Sequence, residues 1–99
     1  MERISLDAYV VDVLMPDLVG HDRRPGTFVV YLFLLRQAAK ARRDAVSVSL
    51  QTIATRTGLS KSTVQTALRH LRRRNLIDPM VVATVSEPVR RVLRPWIRE

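Results

Sequence analysis

Apolar residues recur along the chain with changing periods, and the changes of period mark its elements. Leu6, Tyr9, Val10, Val13 and Leu14 repeat at helical spacing behind Ser5, a good N-cap, with Asp7 in the first turn. Val11 and Leu18 widen this stripe. Pro16 lacks the N–H that would bond back to Asp12, so the helix either kinks there or ends near Met15, with Pro16 opening one further turn before Gly20. GHDRRPG, residues 20–26, has glycine at both ends and reads as a loop. The next helix is predicted from about Thr27 to Arg43, with a core stripe at Phe28, Tyr31, Leu32, Leu35 and Ala39. Val29, Val30, Phe33 and Leu34 make its first two turns apolar all round, which calls for cover on several sides. The available covers are the N-terminal helix and a second copy of the chain.

AVSVS at 45–49 alternates as a short strand does and closes on Ser49, a plausible cap for a helix from Leu50 to about Thr57. Gly58 breaks that helix. A second short helix starts after Ser60 and runs to about Arg74. Two β-prone segments follow, LIDPMVVATV and VRRVLRPW, separated by SEP, and Pro79 argues for an edge strand or a bulge in the first.

LQTIATRTGLSKSTVQTALRHL, residues 50–71, resembles a helix-turn-helix. Ile53 and the small Ala54 face inward from the first helix, Gly58 permits the positive φ of a tight turn, and Leu59 plugs the corner. Val64, Ala67, Leu68 and Leu71 bury the second helix. With a long helix and a short strand before it and two β-prone segments after it, residues 27–96 resemble the winged helix-turn-helix family of bacterial DNA-binding regulators and replication initiators. The resemblance implies a mainly α fold with a small β-wing. Residues 1–99 then form one domain, a 27–96 core with a 1–26 N-terminal helical extension.

At about 100° per residue, Ser62, Gln65, Thr66, Arg69 and Arg73 fall opposite Val64, Leu68 and Leu71. In the family the second helix lies in the major groove of double-stranded DNA, which implies base readout by Ser62, Gln65, Thr66 and Arg69. Arg69 suits guanine and Gln65 adenine. Ser60, Lys61 and Thr63 at the helix start suit backbone phosphates, as do Arg73 and Arg74 further along. Arg90 and Arg91, beyond the expected wing tip, are candidates for backbone or minor-groove contact, although the tip itself has no glycine and carries Glu87. The bland alternative is a solvated basic face. Against it, Ser, Thr and Gln are mediocre choices for such a face, which Glu and Lys would fill better.

Charge strengthens the nucleic-acid reading. Seventeen Lys and Arg against nine Asp and Glu give +8, and fifteen of the cations are Arg. Residues 1–26 hold five acids against three Arg, whereas Arg36 to Arg74 hold ten cations and one acid, Asp44. Trp96 reads as an anchor of the C-terminal segment and not as a stacking platform, because single-strand binders interleave several aromatics with their basic residues.

There is no Cys, no phosphate-cradling glycine loop, and no metal-ligand spacing between His21 and His70. The expectations are therefore no enzyme, no cofactor, no metal and no small-molecule ligand. His70, at the flank of the second helix, suits a phosphate or water contact. No apolar run approaches a membrane span and the start is not a secretory signal, so a cytoplasmic, nucleoid-associated protein is expected. Leu6, Tyr9, Val10, Val13 and Leu14 are candidates for homodimerisation, the alternative being that they cover Phe28–Leu35 within one chain. The expected function is sequence-specific binding of double-stranded DNA by a small transcriptional regulator acting by site occupancy, the alternatives being a plasmid or phage replication or partition protein and a winged-helix protein-interaction module. Duplex RNA recognition is the weakest.

Overall fold

The computed structural model describes residues 1–79 and 88–97. In chain order it consists of an N-terminal helical segment in two parts, Val10–Leu14 and Pro16–His21, then α1 (Pro25–Ala41), β1 (Ala45–Ser47), α2 (Leu50–Thr57), α3 (Lys61–Arg73) and β2 (Val89–Arg91). It is mainly helical with a small antiparallel sheet, as the resemblance implies. Ala45, Val46 and Ser47 pair with Arg91, Arg90 and Val89, and Ile77 bridges to Val92. The expected strand LIDPMVVATV and the wing tip fall mostly on residues 80–87, outside the described residues.

The N-terminal segment departs from the expected helix in pitch and in start. Both parts close i→i+5 hydrogen bonds, Met15 N–H to the Val10 carbonyl and Asp22 N–H to the Asp17 carbonyl. The wider turn gives the Pro16 ring room against the preceding carbonyls, so the chain continues past a residue that would break an α-helix. Ser5 does not cap it: helical backbone begins at Ala8, and the Asp7 carbonyl accepts from Val10 N–H at 3.0 Å.

Helix α1 starts inside the expected loop because Pro25 at the first helical position gives up no hydrogen bond there. It ends where Arg42 turns left-handed at φ 55° and returns its N–H to the Ala38 and Ala39 carbonyls. Its buried side is Thr27, Phe28, Val30, Tyr31 and Leu34, rotated from the expected stripe, with Leu32 and Leu35 half-buried and Ala39 exposed. The cover comes from within the chain, from the N-terminal segment and α3. Val10 and Leu14, expected at a dimer interface, lie in this core at 1% and 5% exposure; Leu6, Tyr9 and Val13 stay partly exposed.

The helix-turn-helix forms for local reasons. Ser49 Oγ accepts from Thr52 N–H at 3.1 Å and Ser60 Oγ from Thr63 N–H at 3.1 Å, each satisfying one of the orphan donors of its helix. Gly58 sits at φ 81° and closes α2 with its N–H on the Ala54 carbonyl at 2.9 Å. Ile53, Ala54, Val64, Ala67, Leu68 and Leu71 are all buried, as their spacing predicts.

Two ties hold the remaining parts. Tyr31 donates its hydroxyl to the Leu93 carbonyl at 2.7 Å; Trp96 stacks on Tyr9 with centroids 4.7 Å apart and donates Nε1–H to Asp7 at 3.0 Å. The other tie runs along α3. Asp22 hydrogen-bonds His70 Nε2 at 2.7 Å and pairs with Arg74 Nε at 3.2 Å, Arg74 reaches Asp17 as well, and Thr27 hydrogen-bonds His70 Nδ1 at 2.9 Å. Residues 17–27 therefore run back along α3 from its C-terminal end.

The Asp22 carboxyl is held below the usual carboxylate range chiefly by its hydrogen bond to His21 at 2.8 Å and further by His70, while burial pushes it the other way. A depressed folded pKa contributes stability above the unfolded pKa of about 3.9 and loses it as pH falls through the folded value. Asp22→Asn is expected to cost about 1–3 kcal/mol near pH 7. Urea unfolding of both proteins should show that difference shrinking below about pH 4. An equal difference at pH 7 and pH 3 would show that the ionised carboxylate contributes nothing.

Candidate nucleic-acid interface

Helix α3 presents one apolar and one polar side because its capped start fixes the phase of everything after it. With Val64, Ala67, Leu68 and Leu71 turned into the core, Lys61, Ser62, Thr63, Gln65, Arg69 and Arg73 are exposed and Thr66 is half-buried. Ser62, Gln65, Thr66 and Arg69 are thus brought together on one outward face. Arg69 Nη2 donates to Thr66 Oγ1 at 3.4 Å, a long contact that leaves the guanidinium free to re-pair. At the helix start Ser60, Ser62 and Thr63 form a hydroxyl cluster, with Ser60 Oγ donating to Thr63 Oγ1 at 2.9 Å and lying 3.2 Å from Ser62 Oγ. Among the described residues no carboxylate forms an ion pair with Lys61, Arg69 or Arg73.

Three sequence-predicted contacts lie elsewhere. Arg74 is turned onto Asp17 and Asp22, so its charge is committed inside the molecule. His70 is buried at 6% exposure with both ring nitrogens engaged, by Asp22 and Thr27; it is an internal tie and not a surface contact. Arg90 is also buried, at 4%, where its Nη1 donates to the Val48 carbonyl at 2.7 Å. Burial lowers its pKa, and the charge of Arg72 adds to that. Side chains alternate along a strand, so Arg90 points in where Arg91 points out; Arg91 is exposed and sits 3.6 Å from Asp44.

The N-terminal acids explain the lopsided charge. Glu2 pairs with Arg36 at 2.6 Å, Asp7 with Arg94 at 3.6 Å, and Asp17 and Asp22 take Arg74. These carboxylates neutralise cations away from the outward face of α3. Asp17, His21 and Asp22 also bring donor atoms within 4.8 Å of one another, a grouping that the separation of His21 and His70 in sequence did not suggest. Arg74 already lies on both carboxylates and supplies the positive charge there.

Sequence reading overlooked Arg23 and Arg24. Both are exposed, and with Pro25, Gly26 and Thr27 they line a groove whose other wall is Ser62, Thr63, Thr66 and Ala67. The signal available was an arginine pair directly before Pro-Gly.

Among the described residues no helix is long and apolar enough to cross a membrane. No curated protein and no solved structure matches the chain. The sequence model of a helix-turn-helix domain family matches residues 24–77, more than half of the chain and the whole run from the start of α1 through α3 to Ile77. The chain belongs to the helix-turn-helix family of DNA-binding domains.

Proposed function

We propose that the chain binds double-stranded DNA sequence-specifically, with α3 in the major groove, and acts as a small transcriptional regulator by occupying its site. The observation that carries this reading is the outward face of α3: hydroxyls, an amide and arginines gathered together, with no carboxylate pairing them among the described residues. Ser62, Gln65, Thr66 and Arg69 read base edges, while Ser60, Lys61, Thr63 and Arg73 meet phosphates. Arg91 is a further backbone contact; Arg74 and Arg90, both engaged internally, are not. The mechanism is occupancy, with no chemical step and no cofactor, and it places the protein with the nucleoid. A protein-docking face would present aromatic or leucine side chains where α3 presents polar ones. Selected sites in promoters, as opposed to repeats at a replication origin, distinguish regulation from replication or partition.

The protein works as a homodimer in this reading. Leu6, Val11, Val13, Met15 and Val19 leave 37% to 44% of their surface exposed on the N-terminal segment, after Val10, Leu14 and Leu18 have entered the core. The molecule measures 36 × 32 × 29 Å, so two side by side match half-sites one helical turn, about 34 Å, apart.

Selection of bound duplexes from a random library is expected to return a defined site. Arg69→Ala should fold normally and lose about 1–3 kcal/mol of discrimination at one position of that site. Unchanged preference with unchanged affinity would remove this face from the interface. For the dimer, sedimentation at micromolar concentration should give twice the chain mass, and Val13→Asp, at an exposed position, the single mass. A single mass for the unaltered protein at every concentration would contradict the paired arrangement.

A further inference from the structure

The loop Arg23–Arg24 sits against the first turns of α3 although it is far from them in sequence. Its placement is built. Asp22 is clamped by His21 at 2.8 Å, His70 at 2.7 Å and Arg74 at 3.2 Å, which fixes the loop's first residue to the flank of α3. Arg23 then turns through a left-handed φ of 54°, and Arg24 returns its N–H to the Leu18 carbonyl at 2.8 Å. Pro25 fixes the entry into α1. Gly26 rides so close to α3 that a Cβ there would lie 3.0 Å from Thr63 Cγ2. A left-handed turn at a non-glycine residue is uncommon and is held only where its surroundings determine it.

The result is two arginines, exposed and without an ion-pair partner among the described residues, on one wall of a groove. Ser62, Thr63 and Thr66 of α3 form the other wall. The nearby carboxylates, Asp17 and Asp22, are both paired with Arg74, and Asp22 is hydrogen-bonded to His21 and His70 as well. The groove is therefore positive on one side, hydroxyl-rich on the other, and continuous with the recognition face.

We propose that Arg23 and Arg24 are a second DNA contact, gripping backbone phosphates that flank the bases read by α3. One strand passes along the groove between this pair and the hydroxyls of Ser62, Thr63 and Thr66. Guanidinium forks match phosphate oxygens bidentately, and such contacts set the register of a helix in the groove without reading sequence. The inference rests on the proposed DNA-binding role of α3, and it assigns to the loop the task of orienting that helix.

The test is anisotropy of a labelled duplex carrying the selected site, titrated from about 50 to 200 mM salt, with the unaltered protein and with the double variants Arg23→Ala/Arg24→Ala and Arg23→Lys/Arg24→Lys. Thermal melting of each variant controls for folding. The alanine pair is expected to bind about tenfold to a hundredfold more weakly at 0.1 M salt, with the slope of log affinity against log salt reduced by about two. Its selected site should not change, and the lysine pair should recover the slope. Unaltered affinity and slope in the alanine pair, with tight binding by the unaltered protein, would overturn the loop contact and leave α3 standing. A changed selected site would overturn the assignment to phosphates. Failure of the unaltered protein to bind duplex at low salt would overturn both.

Discussion

The molecule is organised by one constraint: α3 has a single apolar stripe, and that stripe can be buried in only one orientation. Val64, Ala67, Leu68 and Leu71 take it into the core against α1 and α2, and Ser60 fixes where the helix begins. Once both are set, no freedom remains in which residues face out. The exposed residues Ser62, Gln65 and Arg69, with Thr66 beside them, are together because the core residues are together, not because they attract one another.

A polar tie supplements this hydrophobic constraint. Residues 17–27 are pinned along α3 by Asp17, Asp22 and Thr27, which engage Arg74 and His70. Such pairs are costly to bury unless every partner is satisfied, and here the carboxylates, the imidazole and the guanidinium satisfy one another. The consequence for function is electrostatic as well as structural. Acids of the N-terminal segment pair with Arg36, Arg74 and Arg94, away from the free face, whereas Lys61, Arg69, Arg73, Arg23 and Arg24, which form no ion pair among the described residues, lie on that face or beside it.

What was legible in the sequence follows from the range of the interactions. The helix-turn-helix rests on contacts a few residues apart, namely two serine caps, a left-handed glycine and a 3.6-residue period, and each leaves a local signature. Asp22 and His70 are 48 residues apart, and Asp17 and Arg74 are 57; nothing in either neighbourhood announces the partner. His70 thus reads as a surface contact when it is buried, and Arg74, though exposed, is taken up by Asp17 and Asp22. Arg23 and Arg24 were hidden for the same reason, counted with an acidic segment when the fold sets them beside the basic one. Arg90 was legible in principle, since two adjacent strand residues cannot face one duplex together. Pro16 signalled an interruption correctly, but the wide helical turn that absorbs it depends on packing of Leu14 and Leu18 into the core.

The central claim, that the outward face of α3 and its basic surroundings form a DNA surface, is tested most directly by titrating a labelled random-sequence duplex with the unaltered protein between about 50 and 200 mM salt. Neutralising some six phosphates predicts a fall in affinity of about a thousandfold across that range. Binding that is absent at the low end, or that is unaffected by salt, would contradict the account and turn the same face into a candidate for an acidic protein partner.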